Sequence, residues 1–239
     1  MVRELTEKNL IYQLRQYKVK RRVQFFPETE STNTVAKTLC NEGKGAGALI
    51  VADCQTAGRG RLGRTFCSPK GTGIYVTPVY ELHGNEKNMD LISPLAGLAV
   101  RDTLYNMFGL ETTVKWPNDV LYEGKKLCGI LCEIVNVNNR PKYVVVGVGL
   151  NVQPGAFPDD VACVAGAISE FYQGEIDRNE LCVELVHNMD RYIQRTNALT
   201  EDNKEVIDRL KACSATLGQM VRVILPEESY DARVLDIAP

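Results

Sequence analysis

The sequence predicts an α+β fold, a mixed sheet packed by helices, with a small β segment at its C-terminal end. Three observations lead there. Helical and strand-like segments are interspersed over residues 1–109. Three strand-like runs then follow one another at 112–116, 126–137 and 143–152. Helical patterning returns over 158–212, and the composition shifts again at 217. With 239 residues, 44% of them hydrophobic, the chain suffices for one large domain, or a large one with a small one. The expected division is 1–212 and 213–239.

Each element follows from local pattern. Leu10, Ile11 and Leu14 fall on one face of a short helix within 1–20, and VQFFPE then reads as a strand ending at Pro27. In ESTNTVAKTLCNEGKG, Ser31, Thr32 and Asn33 are N-cap candidates, Val35, Ala36 and Leu39 an apolar face, and glycines close the helix. GALIVAD (47–53) is a buried strand, and GTGIYVTPVYEL (71–82) a second one, rich in β-branched and aromatic residues. SPLAGLAVRDTLYNMFG (93–109) sets Leu95, Leu98, Ala99 and Leu104 at helical spacing and ends at a glycine. In 158–212, Leu181, Leu185, Met189 and Tyr192 make one stripe. The tail, 217–239, reads as two short strands around a polar turn. Two strands cannot bury a core alone, so it either packs on the main domain or belongs to an incomplete small β-barrel.

Charge excludes some functions. A net charge of −2 argues against general nucleic-acid binding, and KVKRR (18–22) reads as a solvated basic face. The start lacks the apolar core of a signal peptide and no segment is long enough to span a membrane, so the expectation is a cytoplasmic protein with no membrane partner. The eight cysteines are scattered without a C-x-x-C pair and there are only two histidines, His83 and His187, which disfavours zinc. The cysteines read mostly as small buried hydrophobes in a reducing compartment.

QTAGRGRLGR (55–64) carries Gly58, Gly60 and Gly63 in the G-x-G-x-x-G pattern. A dinucleotide cradle needs a helix to start there, but RTFCSPKGTG follows, and Pro69, Gly71 and Gly73 make a helix unfavourable. No G-K-[ST] follows for a P-loop, and Thr65 stands where a kinase glycine loop wants valine. What remains is a mobile loop carrying Arg59, Arg61 and Arg64, either a solvated basic loop or a phosphate binder. In KWPNDV (115–120), Lys115, Asn118 and Asp119 surround a stiff Trp116–Pro117 turn, either as an Asx turn closing a hairpin or as oxygen ligands suited to Mg²⁺. Lys126 opens an apolar strand, and GVGLNV (147–152) brings Asn151 to the end of another.

In this order, ESTNT, QTAGRGRLGR, KWPND, KKLCGIL and GVGLNV resemble the biotin protein ligases over roughly residues 23–154, more weakly to about 212. The resemblance implies a catalytic domain like that of class II aminoacyl-tRNA synthetases, with the start of a small SH3-like β domain behind it. It implies joining of biotin to ATP as biotinyl-5′-adenylate, then transfer to a lysine of a biotin carboxyl carrier domain. Ser31, Thr32, Asn33 and Gln55 would then bind biotin, its ureido head needing both donors and acceptors. Gly58, Arg59 and Arg61 would belong to a loop that orders over the ligand. Arg61 and Lys126 would be the catalytic pair, Lys126 meeting the biotin carboxylate and the acyl phosphate. Arg61, Arg64, Lys115, Asn118 and Asn151 would serve ATP, and Asp119 would hold Mg²⁺. Two anions must meet, so cations and Mg²⁺ neutralise them while a closed loop excludes water.

The segment before the first strand is too short for the DNA-binding domain that some members carry, so the expectation is a ligase without DNA as a partner. The oligomeric state is not readable. Cys67 invites a nucleophile reading, but no histidine is near it in sequence. Two alternatives stay open: a lipoate or octanoate protein ligase, whose histidine-containing glycine motif is missing here, and a non-catalytic biotin-sensing regulator.

Overall fold

The computed structural model describes residues 1–83, 89–155, 157, 159–193, 204–225 and 228–237. Residues 158 and 194–203 of the expected helical stretch, and 226–227 and 238–239 of the tail, lie outside them. In chain order the elements are β1 (Val2–Arg3), α1 (Glu7–Gln16), β2 (Arg22–Phe26), α2 (Thr32–Asn41), β3 (Ala48–Ala52), β4 (Gly73–Glu81), α3 (Ile92–Phe108), β5 (Thr113–Lys115), β6 (Asp119–Tyr122), β7 (Lys125–Val137) and β8 (Arg140–Asn151). There follow α4 (Asp159–Ala162), α5 (Ile168–Phe171), β9 (Ile176–Asp177), α6 (Arg178–Ile193), α7 (Lys204–Ala212), β10 (Met220–Ile224) and β11 (Ser229–Arg233).

Seven strands form one sheet in the order β2-β3-β4-β8-β7-β6-β5. Only β2 and β3 run parallel, so the sheet is mixed, as the sequence predicts. The long antiparallel run β6–β7–β8 is made by two tight turns. Glu123 and Gly124 have φ of 48° and 77°, and Asn138 and Asn139 have φ of 52° and 58°. Positive φ at both central residues is the turn geometry that suits the twist of a hairpin.

The chain alternates across the sheet. Leu49 and Val51 of β3 join the larger core, while Ala48 and Ile50 join a smaller cluster with Ala36 and Cys40 of α2. Hence β3 is buried throughout, with α2 on one face. Leu95, Leu98, Ala99 and Leu104 of α3, with Leu181, Leu185 and Met189 of α6, fill the other face. Gly109 ends α3 in the left-handed conformation at φ 70°.

Two departures concern short strands. The expected turn stands at residues 116–118 of KWPNDV, but the strand β6 that begins directly after it at Asp119 was not foreseen; four residues are too few to show an alternating pattern. The two-residue pair β1–β9 has no pattern of its own at all. At the far end, Val114 and Ser214 form a parallel bridge, so residues 213–215 cover the outer edge of β5. The β10–β11 hairpin follows, and Ile237 returns to the main core at 8% exposure.

A buried ion pair ties α6 to the loop after β3. Arg178 Nη1 lies 2.7 Å from Asp53 Oδ1, with both side chains at most 5% exposed. The same guanidinium donates to the Gly73 carbonyl at 3.1 Å, fixing both ends of the 53–73 loop. None of the eight cysteines forms a disulfide; Cys40, Cys128, Cys182 and Cys213 are buried, and Cys163 is exposed. Among the described residues no helix is long and apolar enough to cross a membrane.

Candidate active site

Two cavities open beside the sheet on either side of the 55–68 loop. The smaller, of about 250 Å³, is walled by Ser31, Thr32, Asn33, Gln55, Arg59 to Arg61, Leu62, Arg64 to Phe66, Asn118, Asp119, Lys126, Gly129 to Leu131 and Gly147 to Gly149. The larger, of about 830 Å³, is walled by Cys54 to Thr56, Gly58, Arg64 to Pro69, Lys126, Asn151, Phe157, Val161, Val164 and Ala165. Gln55, Arg64, Thr65, Phe66 and Lys126 belong to both walls.

The smaller cavity ends in a hydrogen-bonded chain at the start of α2. Ser31 takes the N-cap position, but its side chain makes no capping bond, so the hydroxyl is not spent on the helix. Gln55 Oε1 accepts from the Thr32 N–H at 2.9 Å and its hydroxyl at 3.1 Å, and Gln55 Nε2 donates to Ser68 Oγ at 2.9 Å. The Thr77 hydroxyl sits 2.8 Å from both Thr32 Oγ1 and Asn33 Oδ1. Asn33 Nδ2 donates to the Leu131 carbonyl at 3.2 Å and to Glu133 Oε2 at 3.0 Å. Asn33 thus spends both ends of its amide on the protein and holds the chain in place. Gly147 makes room for it, since a Cβ there would lie 2.1 Å from Asn33 Oδ1. Buried polar groups satisfied in this way are fixed in direction.

The glycine–arginine loop forms no helix beyond a single 3₁₀ turn at Arg61–Gly63, as its composition predicts. It folds back on itself through bridges Gln55↔Ser68 and Arg59↔Thr65, and Phe66 N–H donates to the Gly58 carbonyl at 2.9 Å. The Phe66 ring lies in a trough over Gly129 and Gly149, which face each other across β7 and β8. A Cβ would come within 2.9 Å of the ring at Gly129 and 2.3 Å at Gly149.

The charged groups gather opposite. Arg61 Nη1 donates to Asn118 Oδ1 at 3.1 Å, Asn118 Nδ2 donates to Asp119 Oδ1 at 3.0 Å, and Lys126 Nζ lies 2.8 Å from the same oxygen. In the smaller cavity's wall Arg59, Arg61, Arg64 and Lys126 face one carboxylate, Asp119, so the wall favours an anion. Asn151 stands in the other cavity, its Nδ2 donating to the Gly166 carbonyl at 3.0 Å. Lys115 is exposed and outside both walls.

Sequence reasoning missed Thr77, Ser68 and Glu133, and the apolar wall Phe157, Val161, Val164 and Ala165. Only Glu133 left a signal, as the one acidic residue in KLCGILCEIVNV. It accepts from Lys37 Nζ at 2.8 Å and lies 3.3 Å from Arg59 Nη1. Burial alone would push its carboxyl up, but bonds from Lys37 and Asn33 and the charges of Lys37 and Arg59 hold it below the usual range. Cys67 lines the larger cavity, whose walls include neither histidine.

Among the described residues no group of three or more His, Cys, Asp or Glu could hold a metal. Asn118 Oδ1 is taken by Arg61, and Asp119 Oδ1 by Lys126 and Asn118. That leaves the second Asp119 oxygen as the one ligand among these groups for a magnesium ion, which commonly takes one or two carboxylates plus phosphates and water.

The family model for the biotin/lipoate A/B protein ligase family matches residues 25–151. The bifunctional ligase/repressor BirA of Bacillus subtilis is 37% identical over 150 residues, which are 62% of this chain and 46% of that protein. The chain thus spans about half the length of that relative. The biotin--[acetyl-CoA-carboxylase] ligase of Mycobacterium tuberculosis is 35% identical over 214 residues, 86% of this chain and 76% of that one. Among solved structures, the biotin protein ligase of Aquifex aeolicus in complex with biotin and ATP superposes with a TM-score of 0.78 at 26% identity, covering 92% of this chain and 88% of that one.

Proposed function

The chain belongs to the biotin/lipoate A/B protein ligase family, and from that premise we propose that it activates biotin with ATP as biotinyl-5′-adenylate and transfers it to a lysine of a biotin carboxyl carrier domain. The observation that carries this reading is Lys126, whose side chain stands in the walls of both cavities. An acid seated in the smaller cavity and a nucleotide in the larger would bring carboxylate and α-phosphate together at one ammonium.

The smaller cavity suits a ureido head. The Ser31 hydroxyl, which can donate and accept, and the second Nε2 hydrogen of Gln55 stand in its wall beside the chain held by Thr32, Asn33 and Thr77. An aliphatic acid would leave the Ser31 hydroxyl and the remaining Gln55 N–H without a ligand partner, at about 1–3 kcal/mol for each group desolvated and unpaired. The larger cavity suits a purine ring between Phe157, Val161, Val164 and Ala165, with Asn151 as its polar contact.

Attack of the carboxylate on the α-phosphate forms a C–O–P anhydride and expels pyrophosphate. Lys126 would stabilise the charge that passes from carboxylate to phosphate, and Arg61 and Arg64 would offset the departing phosphates. Magnesium, held by Asp119, would supply further neutralisation of ATP. The closed loop, with Phe66 seated in its trough, would exclude water from the mixed anhydride until the acceptor lysine arrives. Lys115, outside both walls, would add positive potential without touching phosphate. The acceptor domain would dock by a strand edge beside the site.

Pyrophosphate release with Mg-ATP and biotin, lipoate or no acid tests the reading, with Lys126→Ala and Arg61→Ala as variants. Release with biotin, weakened in both variants, supports it. Release with lipoate alone makes the chain a lipoate ligase, and silence with every acid makes it a binding protein.

A further inference from the structure

We propose that Glu133 is the positioning residue that straps the glycine–arginine loop across the site. The contacts stand on geometry alone, and only their catalytic consequence rests on the ligase reading.

Glu133 lies on β7 opposite Val145 of β8 and belongs to the wall of neither cavity, so it acts through its neighbours. Asn33 and Lys37, one turn apart on α2, would by themselves satisfy its carboxylate, one on each oxygen. Arg59 is the third partner, and it converts a sheet–helix contact into a sheet–helix–loop junction. Two residues further on, Arg61 reaches Asn118 on the opposite wall. The loop therefore crosses the smaller cavity with one polar anchor on each side.

Beyond these anchors the crossing is held by backbone bonds within the loop and by the Phe66 seat on its returning limb, not by burial of its tip. Between the anchors and Gly63, Leu62 is 88% exposed with φ at 55°, so no apolar burial secures the tip. The two anchors differ in what a ligand does to them. Phosphates arriving in the site would compete with Asn118 for Arg61. Glu133 lies behind the wall, so its hold on Arg59 survives loading of the site. Phe66, which follows in the same loop, keeps its seat in the trough while Arg59 is held.

Limited trypsin digestion of the full ligand-free chain reads this directly, scored by mass spectrometry at the bonds after Arg61 and Arg64. The Arg59–Glu133 pair is partly exposed, so its loss raises the open population, and with it the cleavage rate, about two- to fivefold. Glu133→Gln keeps the shape and an acceptor for Asn33; it is expected to speed cleavage by that factor at a temperature where the variant, slightly less stable than the wild type, is still fully folded. Arg59→Gln should do the same, and the double variant no more than either alone. Lys37→Met, which leaves the Arg59 pair in place, should not speed cleavage. Equal rates for Glu133→Gln and the wild type, or additive effects in the double variant, overturn the proposal. AMP formation from biotin and ATP without an acceptor is the catalytic readout, expected to rise in Glu133→Gln as the adenylate leaks. A wild type that makes no AMP counts against the ligase reading, while the cleavage result still decides the role of Glu133.

Discussion

Asp119 and Lys126 meet 2.8 Å apart across the β6–β7 hairpin because the register slips between them. Asp119 faces Gly129 and Val120 faces Cys128, but Leu121 faces Lys126, which leaves Leu127 as an extra residue. In a regular ladder Leu127 would face Leu121, and Lys126 would point to the opposite face from Asp119. The bulge turns Lys126 onto the face of Asp119 and sinks Leu127 into the core. Bulges re-aim side chains in this way beside active sites.

That placement makes Lys126 the group with most to lose. Lys126→Ala is expected to lower biotin-dependent pyrophosphate release about 10²–10³-fold, the usual effect of removing one donor at a developing charge. Single-turnover rates at saturating ATP check it, and a rate within twofold of the wild type would remove Lys126 from the chemistry. Asp119→Asn keeps a hydrogen-bond acceptor but frees the ammonium, so its fall should be smaller and should vary with magnesium concentration.

The Phe66 trough gives a second prediction. A methyl at Gly149 would sit 2.3 Å from the ring, so Gly149→Ala must displace Phe66 and the loop with it. Overpacking of this kind costs about 1–3 kcal/mol, readable as a lower urea midpoint. Adding Phe66→Leu should recover most of that stability but not the activity, because the water-excluding ring is gone. A single variant as stable as the wild type would mean that the ring does not rest there.

How much of this was legible in sequence depends on how far each feature reaches. β3 and α3 could be read because their apolar spacing is local, and Gly109 marks the end of α3 with its own conformation. The site motifs could be read because each clusters polar residues within a few positions. The Leu127 bulge could not, since register is a property of two strands and leaves no mark in KKLCGIL. Thr77 was hidden for a like reason: it looks like an ordinary β-former in GTGIYVTPVYEL, and only packing of α2 against β4 gives its hydroxyl two partners. Asn33 was legible as a site residue but not as one whose amide is spent on the protein. Lys115 lies beside the site in sequence and shares a face with its cross-strand partner Asp119, yet falls outside the walls because β5 is the outermost strand of the sheet, one strand further from the loop.

Acidity should act on the loop junction in one direction. The folded Glu133 carboxyl is held below its ordinary value, so its contribution is fully present above the unfolded value of about 4.3 and lost as pH falls through the lower folded value. The difference in urea midpoint between the wild type and Glu133→Gln should be constant from pH 7 to 5 and shrink below about pH 4. A difference that instead vanished between pH 7 and 6 would assign the effect to another group.

The buried pair Arg178–Asp53 should link stability to substrate affinity. Arg178→Met leaves the Asp53 carboxylate buried without its cation, at a cost of about 3–5 kcal/mol. The guanidinium also donates to the Gly73 carbonyl and to the Arg3 carbonyl, so the 53–73 loop and the N-terminal strand loosen together. Asp53 immediately precedes Cys54 and Gln55, and Gln55 stands in both cavity walls. The variant should therefore raise the KM for biotin even at temperatures where it remains folded. Asp53→Asn combined with Arg178→Met removes the stranded charge and should restore part of the stability. It cannot restore the lost donor to Gly73, so KM should stay high. Urea melts and biotin titrations of the single and double variants separate the two effects, and recovery of KM along with stability would show that the ion pair does not position Gln55.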